Sequence, residues 1–534
     1  MNPQPSRRFP DYLFLLGFCG FFFFFGLSYF GLIGADEPRY AQVAREMLAR
    51  RDWITPTLNF HPWLEKPPLY YWQAMAAYAL FGVSDWAARL PSAIDATVMV
   101  FAVYLVLRRF RPGLHLDGAL MVASLAGVIG FARAASMDMP LAAMFTISLL
   151  AWLAWHESKS RKYLACFYVF LALAMLAKGP VAPFLALVII TLFAWAKGDM
   201  QLLRQTLWIP GILLFCGLAL PWYLAVQLRN PEFFHIFILQ HNLARFGSNL
   251  YHHTEPFWYY LPVTLLALVP WTVFALAALV EVLTSWWRRG REWVASENSL
   301  NVFLVIWLLA PVIFFSLSQS KLPGYILPAL PAGGLLLAEY VRRRLEADGH
   351  PPLVLVILHA LAASAPIVPA VMIQYLVLQH RLPWGAGAML SVGLAALVAI
   401  GIAITLRTQM GLRGLRFVTL VPVVLVIAAV LRIGSPALND KLSARALADE
   451  ISEVEMKPMP LAVFRVPREV EFGLQFYRNQ TIGRYEAGQV PEGEHLVVAP
   501  AGSQTALARR VPGRRVSYLG HFAPQDLDYF WVGN

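Results

Sequence analysis

Long apolar segments recur along the chain as far as about residue 433, and each is close to the roughly 20 residues that a helix needs to cross a bilayer. Because no water is available there to satisfy the backbone, segments of this kind must be helical. The composition agrees, since 58% of the residues are hydrophobic and 14% are charged, against about 25% charged residues in soluble domains. The sequence therefore predicts an all-α polytopic membrane protein over residues 1–433. About thirteen transmembrane helices are expected, centred near residues 22, 100, 125, 148, 171, 188, 217, 271, 309, 332, 365, 396 and 424.

The first apolar run extends from Tyr12 to Ile33 and follows Arg7 and Arg8, as in a signal peptide. It is longer than the roughly 7–15 apolar residues of a cleaved signal, and no convincing small-residue cleavage pattern follows it. We therefore expect a retained signal anchor.

Composition also argues against two other classes of protein. The net charge of +11 is not concentrated in a basic domain with interleaved aromatic residues, so a nucleic-acid partner is not expected. Much of the excess charge lies in short loops, where it can face membrane lipids. Cys19, Cys166 and Cys216 all fall inside apolar segments, which predicts no disulfide framework.

The loops between apolar segments alternate in character. One set is short and basic, and by the positive-inside rule it is cytoplasmic, with the N-terminus on the same side. This set comprises residues 108–111, 159–162, 288–291, 342–344 and 407–416.

The opposite set of loops holds most of the chemically unusual residues. Loop alternation alone gathers these residues on one face of the membrane, and we interpret them as a candidate site. They are Asp36, Glu37, Lys66, Arg133, Asp138, Lys178, His253 and Lys321.

The first loop of the opposite set, residues 34–91, is one of the longest between apolar segments. Residues 35–50 place Val43, Met47 and Leu48 on one helical face and most charged residues, Glu46 included, elsewhere. This pattern predicts an amphipathic helix in the membrane interface. A second interfacial helix, with aromatic residues suited to the headgroup level, is expected around Tyr70, Tyr71, Trp72 and Trp86.

After the last apolar segment, residues 434–534 have the composition of a soluble domain. Strand-like segments alternate with helical ones, which predicts a small α/β domain on the side opposite the N-terminus. Strands are expected at PLAVFRV, HLVVAP, VSYLG and YFWVG, and helices at ALADEISEVE, residues 469–477 and residues 503–510.

Three ordered motifs in and around the first loop, DEPRYA, EKPPLYYW and FGVSDWAARLPS, resemble the first external loop of the GT-C class of membrane glycosyltransferases. Within that class the chain is similar to the aminoarabinose transferases of lipid A (ArnT), and more distantly to the protein O-mannosyltransferases. The resemblance covers roughly residues 10–330, and beyond that it holds only in architecture. It implies a GT-C fold with its active site on the periplasmic surface.

The resemblance implies a catalytic role for Asp36 and for Asp138, with Glu37 next to Asp36 in a supporting role. A carboxylate at this surface can stabilise positive charge developing on a sugar carbon, or deprotonate an acceptor. The structural alternative is that both aspartates cap helices, since each stands just before a proline-containing first turn.

Cations and tyrosines near the same loops are expected to bind the phosphate of a lipid-linked sugar donor. Each could otherwise be a simple anchor at the headgroup level. The predicted set is Arg39, Tyr40, Lys66, Lys178, Lys321, Tyr325 and, more weakly, Arg133.

His241 and Arg245 match a further segment of the family and are expected to contact substrate. The resemblance also implies that Glu65 and His253 could share a metal ion such as zinc. The transfer chemistry itself does not require a metal, and no other cofactor is expected.

The function implied by the resemblance is transfer of 4-amino-4-deoxy-L-arabinose from undecaprenyl phosphate to lipid A, or to a related glycolipid, at the bacterial inner membrane. Pro38 stands where many lipid A aminoarabinose transferases have threonine, so the sugar and the acceptor are less firmly implied than the enzyme class. A protein O-mannosyltransferase is the alternative enzyme. A secondary transporter is disfavoured, because ionisable residues lie at span ends and no repeated half is visible.

Overall fold

The computed structural model describes residues 8–244, 255–295, 298–347, 351–377, 385–408 and 410–533. Residues 8–442 are predominantly helical, and a mixed sheet with flanking helices follows over residues 445–533, here called the C-terminal α/β region. The α-helices before that region are Arg8–Cys19, Asp36–Arg50, Leu69–Phe81, Asp85–Phe110, His115–Ala123, Ala126–Ala132, Asp138–Ser158, Arg161–Lys178, Val181–Lys197, Gln201–Thr206, Ile209–Arg229, Tyr260–Ala267, Thr272–Ala295, Ser299–Ser316, Leu330–Glu346, Leu353–Ser364, Ile367–Val377, Ala386–Arg407, Leu415–Ala429 and Ser435–Leu442.

Eight helices in the described ranges are long and apolar enough to cross a membrane, and two further pairs qualify if each is one bent span. The pairs are His115–Ala123 with Ala126–Ala132, bent by 65°, and Tyr260–Ala267 with Thr272–Val294, bent by 116°. Phe9–Phe24 and Val181–Lys197 are apolar but shorter. The chain thus has the predicted multi-pass helical character, whereas the number thirteen is not established by helix length and composition.

The first apolar run differs from its prediction, because the helix ends at Phe24 instead of continuing to Ile33. Arg89, only 1% exposed, donates hydrogen bonds to the carbonyl oxygens of Leu27 (2.7 Å), Phe30 (2.9 Å) and Gly31 (2.9 Å). These carbonyls are satisfied by a side chain from another helix, so the segment needs no helical hydrogen bonds there.

Three buried tryptophans illustrate how the helical part satisfies polar groups in its core. The indole nitrogen of Trp152 donates to Oγ1 of Thr206 at 3.0 Å, and that of Trp271 donates to Oγ of Ser124 at 2.9 Å. The indole of Trp307 donates to a backbone carbonyl at 2.9 Å. A large aromatic ring can be buried here because its single donor finds a partner.

The first loop folds into two helices and a short hairpin. Its first helix spans Asp36–Arg50, here called the motif helix, and buries Val43 and Met47 as predicted. Its second helix spans Leu69–Phe81, where Tyr70 and Tyr71 are fully buried. The prediction of a headgroup-facing aromatic surface is therefore wrong for these two tyrosines, because they pack between the two helices. Trp86 belongs to the following helix, Asp85–Phe110.

The hairpin joins strands β1 (Thr57–Leu58) and β2 (His61–Pro62) through Asn59 and Phe60. Both turn residues have positive φ, 56° and 61°. Their backbone amides donate to the two carboxylate oxygens of Glu46, each at 2.9 Å. Glu46 was expected on the polar face, and it is buried instead because it caps this turn.

The C-terminal α/β region forms a five-stranded sheet in the order β4-β3-β5-β7-β6. Its strands are β3 (Leu461–Val463), β4 (Gly483–Arg484), β5 (His495–Pro500), β6 (Arg515–Phe522) and β7 (Leu527–Gly533). The strand β3 runs parallel to β4 and β5, while β7 pairs antiparallel with β5 and β6. The helices are Arg445–Val454, Arg468–Arg478 and Gln504–Ala508. All the predicted strands and helices are confirmed, and β4 was not predicted.

The basic loops meet one another at one end of the helical part. Ion pairs join Arg111 to Glu157 at 2.7 Å and Arg344 to Glu281 at 2.6 Å, and another joins Arg416 to Asp117. The opposite loops, which hold the candidate site, contact one another in turn, as described next. Loops that the charge pattern assigns to one side of the membrane therefore lie close to one another in the structure.

Candidate active site

Glu37 forms the centre of a buried network. Its carboxylate accepts from both Nε (3.2 Å) and Nη2 (2.7 Å) of Arg89, from the amide of Ile33 (2.8 Å) and from the amide of Ala135 (2.7 Å). Both oxygens are thus engaged by the protein itself. This geometry indicates that Glu37 positions three segments around the site, while its part in the reaction stays a prediction.

Asp36, the neighbour of Glu37, is oriented differently. Its side chain is 52% exposed and forms an ion pair with Arg39 one helical turn later. It therefore stays accessible to a bound molecule, as a catalytic carboxylate must, while Arg39 fixes its direction. The same first-turn position also suits the helix dipole.

Arg39 lies inside an enclosure of three aromatic rings. Its guanidinium carbon is 5.1 Å from the ring centroid of Tyr40, 5.3 Å from that of Trp63 and 5.7 Å from that of Phe472. A cation held against aromatic faces keeps its charge in a partly desolvated place. Trp63 reaches this enclosure because the β1–β2 hairpin, capped by Glu46, sets its position.

A second carboxylate–cation pair lies at the start of the helix Asp138–Ser158. Asp138 forms an ion pair with Lys178, and the Lys178 ammonium stands 4.6 Å from the ring centroid of Tyr325. The segment carrying Tyr325 approaches closely, since a Cβ placed on Gly324 would lie 2.6 Å from Cγ of Asp138. Three loops that are far apart in the sequence are thus brought together as predicted.

Lys321 is also buried at this end of the molecule, and its ammonium donates to the carbonyl of Ser318 at 2.5 Å. The hydroxyl of Tyr260 donates to the carbonyl of Leu322 at 3.0 Å and accepts from the amide of the same residue at 3.1 Å. Tyr260 therefore fixes the backbone that carries Lys321.

Tyr40 lies in the same buried cluster as Met137, the residue just before Asp138. Its pKa is raised well above the ordinary value, first by burial and then by the negative charge of Asp36. The charge of Asp138 acts in the same direction. Tyr40 stays neutral at physiological pH, and its ring and hydroxyl lie within electrostatic reach of both carboxylates.

Glu65 lies 3.7 Å from Nε2 of His241, which brings a predicted metal ligand next to a predicted substrate contact. Lys66, the next residue, is half-buried. Within the described ranges no group of three or more histidine, cysteine or acidic side chains could hold a metal ion. Arg245 and His253 lie outside the described residues, so the proposed metal site stays a prediction.

Arg133 is placed differently from the other predicted cations. Its guanidinium donates to the carbonyls of Phe22 (3.2 Å) and Phe25 (2.8 Å) at the end of the first helix. Burial and the charge of Arg89 lower its pKa to about 10. It borders an apolar cavity of about 540 Å³. These contacts indicate a structural role at the helix end.

Sequence reasoning missed four residues that build this site: Arg89, Trp63, Tyr260 and Phe472. Arg89 stands within the motif FGVSDWAARLPS, and Trp63 stands two residues before EKPPLYYW, so their positions in the sequence pointed to the site. No sequence signal pointed to Phe472, because only the tertiary fold brings the C-terminal α/β region to Arg39.

Comparison with known proteins agrees with the motifs. Residues 65–224 match the family described as dolichyl-phosphate-mannose-protein mannosyltransferase. The undecaprenyl phosphate-alpha-4-amino-4-deoxy-L-arabinose arabinosyl transferase of Pseudomonas aeruginosa (strain LESB58) is 33% identical over 64% of this chain and 61% of its own length. A second such transferase, from Pseudomonas fluorescens (strain Pf-5), is 29% identical over 72% of this chain and 64% of its own. The chain thus matches a little over three fifths of the length of these relatives.

The fold extends the similarity over almost the whole chain. The crystal structure of ArnT from Cupriavidus metallidurans bound to undecaprenyl phosphate superposes with a TM-score of 0.78, covering 97% of each chain at 22% sequence identity. The helical architecture and this likeness define a multi-pass membrane protein of the GT-C fold class. Within that class the chain is ArnT-like in both sequence and fold, as its loop motifs predicted.

Proposed function

We propose that this chain is a glycosyltransferase that takes a sugar from a polyprenyl phosphate and transfers it to an outward-facing glycolipid. The preferred donor is undecaprenyl phosphate carrying 4-amino-4-deoxy-L-arabinose, and the preferred acceptor is a phosphate of lipid A. The similarity to transferases named for this donor supports the choice.

One observation carries the proposal. Two carboxylate–cation pairs, Asp36 with Arg39 and Asp138 with Lys178, lie on segments joined by the hydrogen bond from the amide of Ala135 to Glu37. Sugar transfer from a phosphate needs both signs of charge together. A carboxylate stabilises the positive charge that develops on the anomeric carbon, and cations stabilise the phosphate that departs.

In the proposed reaction, the bond between the anomeric carbon and the donor phosphate oxygen breaks. The electron pair leaves with the polyprenyl phosphate. The negative charge of this phosphate would be stabilised by four cations, Arg39, Lys66, Lys178 and Lys321. A new bond forms between the anomeric carbon and an acceptor oxygen. An acceptor phosphate is already an anion at neutral pH, so Asp36 orients and stabilises instead of removing a proton.

The proposed location is the bacterial inner membrane, with the N-terminus in the cytoplasm and residues 434–534 as a periplasmic domain. The meeting of the basic loops at the end opposite the candidate site supports this orientation. Added aminoarabinose would mask negative charge on lipid A and so lower its affinity for cationic peptides.

The test is mass spectrometry of lipid A from a host that lacks its own transferase and makes the donor. Cells expressing the wild type should show a pentosamine mass increment, and cells expressing Asp36→Ala should not. Unmodified lipid A in both, with folded protein in the membrane, would overturn the lipid A assignment.

A protein O-mannosyltransferase-like activity is the second candidate, because the family profile that matches residues 65–224 carries that description. It requires a hydroxyl acceptor, whose proton must be removed, so Asp36 or Asp138 would serve as general base. Glycosylation of a serine or threonine peptide by the purified chain, with lipid A left unmodified, would favour this alternative.

A further inference from the structure

The helix Arg468–Arg478 of the C-terminal α/β region makes several of its contacts with the first loop. Gln475 donates to Oδ1 of Asn59 at 2.6 Å, and Arg45 of the motif helix donates to the carbonyl of Phe476 at 2.9 Å. The hydroxyl of Tyr477 donates to Asp85 and accepts from the amide of Leu32, both at 2.6 Å. The docking thus fixes the segment just before the acidic motif and the hairpin just after it.

Phe472 on the same helix completes the enclosure around Arg39. Its side chain is 8% exposed, and it packs with the cluster formed by the motif helix and the helix Leu69–Phe81. Tyr40 and Trp63 supply the other two rings, both from the first loop. Without Phe472 the guanidinium would gain space and water on that side.

Polar groups in the enclosure indicate that it is built to keep Arg39 in place. Arg39 pairs with Asp36 and reaches the hydroxyl of Tyr40 at 3.4 Å. Its buried Nε finds no hydrogen-bond acceptor among the described residues. A long side chain such as that of Arg39 loses rotamer entropy when it is fixed. Packing by the three rings is therefore needed to hold its guanidinium in one geometry.

We infer that Phe472 is a positioning residue for the transfer site, acting through Arg39 although it belongs to the C-terminal α/β region. The inference rests on the proposed function, because Arg39 is there assigned to the donor phosphate. The C-terminal α/β region would then supply one wall of the site. Donor binding should depend on that wall even though Phe472 does not touch the donor.

The test measures affinity of the purified full-length chain for undecaprenyl phosphate, with transfer to lipid A as a second readout. Phe472→Ala should weaken binding of undecaprenyl phosphate by about tenfold, the scale of a desolvated cation–π contact. Phe472→Trp keeps an aromatic ring at this position and should bind as tightly as the wild type. Phe476→Ala is the matched control. Phe476 lies one turn away on the same helix and packs against Arg45, with its ring centroid 5.8 Å from that guanidinium carbon. It should bind as the wild type does.

A double-mutant cycle separates positioning from general loss of structure. In an Arg39→Ala background, Phe472→Ala should weaken binding no further, because its effect passes through Arg39. Additive losses, or equal losses in Phe472→Ala and Phe476→Ala, would overturn the inference. A wild-type chain that binds no undecaprenyl phosphate would overturn the proposed function itself and this inference with it. Binding without transfer to lipid A would overturn only the acceptor assignment.

Discussion

Glu37 and Arg89 form a buried ion pair at the candidate site. Both side chains are almost fully buried, and together they tie the end of the first helix, the motif helix and the backbone at Ala135. A buried ion pair adds little net stability compared with apolar residues, but loss of one partner leaves a charge without compensation. The main role of the pair is therefore to fix the position of Asp36 at the site.

Loss of either partner of this buried pair should destabilise the protein. Glu37→Gln should destabilise the protein by about 3–5 kcal/mol, because Arg89 stays charged and buried. Adding Arg89→Met to that variant should destabilise it further, because the carbonyls of Leu27, Phe30 and Gly31 then lose their buried donor as well. Thermal unfolding in detergent measures both effects.

The control is Arg111→Ala, which breaks a half-exposed pair with Glu157 and should cost less than about 1 kcal/mol. A double variant more stable than Glu37→Gln alone would contradict this account of Arg89.

At the scale of elements, the site depends on how closely the segment Pro323–Ala329 approaches the start of the helix Asp138–Ser158. Gly324 permits this approach because it has no Cβ. Tyr260 binds the backbone of Leu322, just before this segment, and so fixes the chain next to Gly324. The Asp138–Lys178 pair and the ring of Tyr325 are arranged by this packing.

Gly324→Ala should therefore reduce transfer sharply while the protein still folds. The added methyl would lie 2.6 Å from the Asp138 carboxyl carbon, so either the segment or the carboxylate must shift. A displacement near 1 Å at a reacting group can cost about a hundredfold in rate. Initial rates of sugar transfer at saturating donor measure this loss.

Gly217→Ala is the matched control, because a Cβ there meets nothing within 4 Å. It should transfer sugar at the wild-type rate. Equal activity in the two variants would show that the close approach at Gly324 is not required.

For the whole molecule, the C-terminal α/β region is a structural partner of the first loop and not an appendage. Arg445 pairs with Asp85 at 2.7 Å, and Tyr477 joins Asp85 to the amide of Leu32. Asn439 accepts from the amide of Gly31 at 3.1 Å. The two ends of the chain therefore stabilise each other around the acidic motif.

Tyr477→Phe should weaken this docking by about 1–3 kcal/mol, because the amide of Leu32 and the carboxylate of Asp85 each lose a buried partner. The substitution should make the C-terminal α/β region more sensitive to limited proteolysis and lower the unfolding temperature. Tyr518→Phe, at a 53% exposed position, should change neither. Identical proteolysis of all three proteins would argue against a stabilising role for the Tyr477 hydroxyl.

The sequence by itself determined the features that depend on local pattern. Apolar length gave a multi-pass helical protein, loop charge separated the two ends, and alternating segments gave the C-terminal sheet and helices. The motif helix and the location of Asp36, Asp138 and Lys178 on one face followed from the same patterns, because periodicity and charge are properties of short stretches.

Only the tertiary structure decided which residues share an environment across long distances in the chain. The end of the first helix at Phe24 depends on Arg89, and the burial of Glu46 depends on the turn at Asn59 and Phe60. Phe472 reaches Arg39 only because a separate region docks there. Such contacts are made by packing between remote segments, whose hydrogen bonds and ring contacts leave no periodic trace in the sequence.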